Sequence, residues 1–133
     1  MPSSWLFKTE PTDYSFEDLV RDGRTRWEGV RNAQALIHLR KVRKGDPVII
    51  YHTGDVKAII GLARADSDAA GNAVDVIPDR PLNRPVTMPE IRKNPKLKML
   101  DLVRNTRLSV MPVSESHWIE LIRMSETRTS ERG

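Results

Sequence analysis

Apolar residues fall along this chain in short runs separated by turn chemistry, and each run has a readable period. Trp5 to Lys8 is a compact run that predicts a strand. Ser15 has the character of a helix N-cap, with Asp18 at the third helical position. That short helix should run to about Asp22 and stop at Gly23. Asn32 then caps a helix predicted from Ala33 to about Val42 and ended by Gly45, with Leu36, Leu39 and Val42 on its core-facing stripe. PVIIYHT at 47–53 is a β-branched strand, Gly54 and Asp55 form a turn, and AIIGLARA at 58–65 returns as its partner. A third strand puts Val74 and Val76 on one face and Asp75 and Ile77 on the other, and Pro78 and Pro81 imply an edge or an exit there. A helix is predicted over 87–94, a strand over 107–113, and a last helix capped by Ser114 with Trp118, Leu121 and Ile122 on one stripe. About five or six strands and four short helices, without regular βαβ alternation, favour an α+β domain. Its small, mostly antiparallel or mixed sheet is expected to curl toward a barrel.

The chain has 133 residues, enough for one domain with one core. We expect that domain over residues 1–125 and a polar tail over 126–133. Hydrophobic residues make up 38% and charged residues 30%, which reads as globular and not disordered. No apolar run reaches bilayer length and no secretory pattern opens the chain, so no membrane partner is expected. There is no cysteine, which removes disulfides, thiolate metal sites and a cysteine nucleophile, and fits a cytoplasmic protein. The net charge is +4, and its distribution adds more than its size. Eight basic residues stand against two acidic ones between Arg21 and Lys44, and seven against two between Arg84 and Arg107. Two such blocks either attract phosphates or simply form solvated faces.

Catalytic signals are sparse. His38, His52 and His117 lie on three separate elements without metal-pair spacing, and neither a Gly-rich phosphate loop nor a GxSxG elbow is present. Nothing demands a cofactor or metal. Binding chemistry is better represented. Arg31, Asn32 and Gln34 are planar hydrogen-bonding groups at a helix start, where free N–H groups favour an anion. Asn and Gln can hold a base edge, and Arg a base or a phosphate. The alternative for Asn32 is a plain cap, and for Arg31 a solvated surface. Trp27 and Tyr51 belong either to the core or to a pocket wall. Tyr51 and His52 point to opposite faces by strand alternation, so one of them is expected in any given pocket. Lys8 and Glu10 share a face and either pair on the surface or sit at a cavity mouth.

Three stretches in order, WLFKTEPTDYSFEDL, WEGVRNAQALIHLRKVRKGDPVIIYHT and LVRNTRLSVMPVSESHW, resemble the EVE domain family over nearly the whole chain. That resemblance implies a PUA-like fold, a curled sheet with flanking helices related to YTH and ASCH domains. It also implies a non-catalytic module that binds nucleic acid, DNA or RNA, and holds a modified base, cytosine-type or other, in a pocket. Carried over by position, the ligand-binding candidates are Trp5 and Lys8 in the first stretch. In the second they are Trp27, Val30, Arg31, Asn32 and Gln34, with Tyr51 and His52 at its end. Leu108 and Ser109 come from the third. Ala33 and Leu36 stand where the family commonly has Tyr and Arg, which removes a stacking surface and a donor. Two other functions remain open at this point: an enzyme on a nucleotide or small acid with His52 as general base, and a small-molecule or protein-interaction domain. The oligomeric state is open, with a monomer compatible.

Overall fold

The computed structural model describes residues 3–126. Six strands form one sheet: β1 (Ser4–Thr9), β2 (Thr25–Trp27), β3 (Pro47–His52), β4 (Ala58–Ala65), β5 (Val74–Thr87) and β6 (Val110–Val113). Around it lie α1 (Phe16–Asp22), α2 (Ala33–Leu39), α3 (Met88–Lys93), α4 (Asp101–Arg104) and α5 (Glu115–Glu126), with a 3-10 turn at Pro95–Leu97. The strand order is β2-β5-β4-β3-β1-β6. β1 runs parallel to β3, and every other neighbouring pair is antiparallel. The apolar run of β3 is buried from Val48 to His52, as an inner strand with both faces covered requires.

Local chemistry sets most boundaries where the sequence puts them. Ser15 and Asp18 form the reciprocal capping box of α1, and Gly23 closes that helix. α2 is shorter than expected. It ends at Leu39, Arg40 is its C-cap, and Gly45 lies in the next turn. Val42 is still buried, but it gets there from a turn. The larger surprise is β5, which runs through Pro78, Pro81 and Pro85 to Thr87. β2 covers the outer side of β5 only at Val74–Val76, so beyond that point the strand has one partner, β4. Prolines are tolerated there because no second ladder asks for their missing N–H. Irregular register beside Gly61 and Leu62 bends the pair. β2, α4 and the 3-10 turn are elements too short for a periodic signal. The expected tail over 126–133 begins with the last residue of α5, and from 127 on it lies outside the described residues.

One contact locks α1 onto the sheet. Gly61 of β4 has no side chain, and the Phe16 ring occupies the vacated space, so that a Cβ built at Gly61 would come within 2.6 Å of it. The Phe16 amide is one of the free N–H groups of the helix start, and it donates to Nε2 of buried His52 at 3.0 Å. His52 must therefore be neutral at Nε2, and burial pushes its pKa below the ordinary value, against a smaller opposite pull from Glu17 and Glu10.

Two outcomes are expected. Gly61→Ala should lower stability by about 1–3 kcal/mol, because the Phe16 ring is held on all sides and cannot swing away; a urea midpoint equal to wild type would show that the ring yields freely. Acidification should also weaken the fold. The unfolded chain takes up a proton at His52 near pH 6.5 that the folded chain resists, so His52 supports stability fully above that pH and progressively less as pH falls toward its depressed folded pKa. His38 is shifted downward by burial as well and adds to the same slope. Urea midpoints between pH 7.5 and 5.5 should therefore fall with pH, and His52→Gln should flatten that fall.

Candidate functional site

The end of β1 opens into a cavity of about 530 Å³, within the range of small-ligand sites. Lys8 and Thr9 end β1 there, and Glu10 follows as the chain leaves the sheet. β2 supplies a second wall with Thr25, Arg26 and Trp27, and the turn after it adds Glu28 to Asn32. Gly29 bends that turn with a φ of 82°, a left-handed value that side chains rarely adopt, and so returns the chain across the cavity mouth. Asp13, Tyr14, Arg107 and Ser109 complete the lining.

Trp27 is half-buried, and the ring of Phe7 backs it with centroids 5.3 Å apart and planes tilted by 44°. Asn32 caps α2: its Oδ1 accepts from the Ala35 amide at 2.9 Å. Among the described residues its Nδ2 makes no hydrogen bond, so the amide keeps donors for a ligand. Arg31 and Arg107 are exposed and form no ion pair with a described residue. Arg26 lies 3.9 Å from Asp75, a weak pairing.

Lys8 is the best-anchored cation. Its backbone N–H donates to the Ser109 carbonyl and its Nζ to the Thr106 carbonyl, each at 2.9 Å. The ammonium also lies 5.8 Å from the centroid of Tyr51, and partial burial lowers its pKa. Lys8 thus fastens the 106–109 segment, which carries Arg107, to the end of β1. Glu10 fastens the other side, accepting from the amide and hydroxyl of Thr12 at 3.3 Å each and from the Thr53 hydroxyl at 3.4 Å.

Of the residues expected at a site, Lys8, Trp27, Val30, Arg31, Asn32 and Ser109 line this one cavity. Trp5, Gln34, Tyr51, His52 and Leu108 do not. Trp5 is a core residue whose Nε1 donates to buried Asp46 at 2.9 Å. Gln34 is exposed on α2, 3.4 Å from Nε2 of His38. Tyr51 and Leu108 are buried, and Tyr51 reaches the site only through its ring beneath Lys8. His52 spends its lone pair on the Phe16 amide, so it has no basic nitrogen facing the cavity. Strand alternation left one of Tyr51 and His52 for the pocket, but β3 is covered on both faces and neither enters it. Arg26 and Arg107 are cavity residues that sequence reasoning passed over; Arg26 directly precedes the second quoted stretch and Arg107 lies within the third, and their charge was the available signal. Among the described residues no group of three or more His, Asp or Glu could hold a metal ion, and no helix is long and apolar enough to cross a membrane.

The comparisons with known proteins agree with this architecture. Human thymocyte nuclear protein 1 is 30% identical over 114 residues, covering 77% of this chain and 49% of that protein, so the chain spans about half the length of this relative. Protein Rpa0253 of Rhodopseudomonas palustris superposes with a TM-score of 0.86 at 33% identity, covering 92% of each chain. The human THYN1 protein, in complex with 5-methylcytosine-containing DNA, superposes with a TM-score of 0.88 at 24% identity over 95% of this chain and 99% of that one. These matches share the curled, PUA-like sheet with short flanking helices. The EVE domain family model covers residues 3–124, and the chain belongs to that family.

Proposed function

We propose that this chain is a non-catalytic reader that holds one base of a nucleic acid in the cavity at the end of β1. The observation that carries the reading is the convergence of an aromatic wall, Trp27, with the uncommitted donors of Arg31 and Asn32 and the anchored ammonium of Lys8 around a single hollow. A base turned out of its stack can lie against Trp27 while its edge is met by Lys8 and the Asn32 amide. Arg31 and Arg107, free of described carboxylate partners, suit the phosphates on either side. The complex of the human THYN1 protein with 5-methylcytosine DNA supports a modified cytosine in DNA as the first ligand to try. A catalytic alternative through His52 loses support from its buried, hydrogen-bonded ring.

Fluorescence anisotropy with a duplex carrying one central 5-methylcytosine, beside its unmethylated twin and an RNA of the same sequence, tests this. The methylated duplex should bind most tightly, and the logarithm of affinity should fall linearly with the logarithm of salt. Arg31→Ala and Arg107→Ala should each weaken binding to both duplexes and reduce the salt slope by about 1. Binding that ignores salt, or equal affinity for all three nucleic acids, would refute a base reader built on phosphate contacts. Lys8→Met should weaken binding about tenfold or more, as expected for a lost charged hydrogen bond. Because Lys8 also anchors the segment carrying Arg107, the double variant Lys8→Met/Arg107→Ala should be weaker than wild type by less than the product of the single losses. Full additivity would show that Lys8 does not act through that segment.

A further inference from the structure

A second hollow opens at the opposite end of β1. Its volume is about 630 Å³, larger than the cavity beside Lys8. Ser4 lines the one and Lys8 the other, about 13 Å apart along a strand that rises about 3.3 Å per residue. The walls differ in kind. Pro112 and half-buried Trp118 form an apolar surface above the buried Leu100, and Met99 adds a side chain that is 56% exposed. Large apolar side chains grouped outside the core mark a contact surface, and methionine suits one because it adapts to varied shapes.

The charge pattern names the occupant. Asp101 and Glu115 line the groove, and neither forms an ion pair with a described residue. Among the described residues no lysine or arginine lines it, and His117 is the one side chain there that could carry a positive charge. The cavity at the other end of β1 has Lys8, Arg26, Arg31 and Arg107 in its lining. The groove therefore disfavours a phosphate backbone and favours a cation attached to an apolar body.

We propose that this groove docks a short peptide segment of a partner protein in which aliphatic and basic side chains alternate. Its aliphatic side chain packs against Met99 and Pro112. Its lysine or arginine lies over the Trp118 indole and pairs with Asp101 or Glu115, which makes the contact both apolar and charge-assisted. The groove and the base cavity share β1 but no lining residue, so occupancy of one does not exclude the other.

The test is an NMR titration of the full chain with two capped hexapeptides, one alternating Leu and Arg and one alternating Leu and Glu. The Leu-Arg peptide should give saturable shifts at the Trp118 indole N–H and the Met99 methyl, and the Leu-Glu peptide should give none. Asp101→Asn/Glu115→Gln should weaken the Leu-Arg peptide about fivefold, and Met99→Ser, at an exposed position, should weaken it through the apolar side. Three results would overturn the proposal: no saturable shift at these residues, equal binding of both peptides, or the same shifts appearing on concentrating the protein alone, which would assign the groove to a second copy. None of these outcomes depends on whether the base cavity binds nucleic acid, since that is read separately by anisotropy on the same samples.

Discussion

Strand β1 is hydrogen-bonded on both flanks, parallel to β3 and antiparallel to β6, and the positions of both hollows follow from that double pairing. A parallel partner needs a long connection, and here the chain between β1 and β3 contains α1, β2 and α2. That connection is what brings Trp27, Arg31 and Asn32 back to the end of β1. The antiparallel partner brings the 106–109 segment to the same place, where Lys8 ties it by main chain and side chain. Three distant parts of the sequence thus meet because one strand cannot leave the middle of its neighbours.

Around that meeting point, side chains divide by whether their polar atoms are already used. Trp5, Tyr51 and His52 look like ligand-binding residues by type, yet Trp5 holds Asp46, His52 holds the start of α1, and Tyr51 supports Lys8 from below. Asn32 is divided within one amide, its oxygen committed to α2 and its nitrogen free of described partners. The cavity is also mixed in sign, with Glu10, Asp13 and Glu28 among its cations. A lining of both signs suits the edge of a heterocycle, which presents donors and acceptors side by side, better than it suits a bare phosphate. Phosphate would be met at the rim, where Arg31 and Arg107 are exposed.

Much of the frame was legible because it rests on short-range rules. The capping box of Ser15 and Asp18, the stop at Gly23, the β3–β4 pair around Gly54 and the start of α3 at Thr87 are each specified within a few residues. β2 was not legible, since three residues joined to β5 by register alone leave no periodic trace. β5 was only half legible, because whether a proline ends a strand depends on which side the next strand lies. Five of the candidate residues lie away from the cavity, two of them for a related reason. Alternation assigns side chains to two faces but cannot say that both are covered, and β3 is buried on both, so Tyr51 and His52 fell inward. Arg107 was overlooked because its role is acquired through Lys8, about a hundred residues away in sequence.

The prolines of β5 have a consequence beyond the single molecule. A long strand with one free flank is a template on which another copy can grow a sheet and, at high concentration, a fibril. At Pro78, Pro81 and Pro85 that flank has no hydrogen to offer, and exposed Asp79 and Arg80 add charge between them. The same residues that blurred the end of the strand in the sequence thus make that flank a poor template for a further strand.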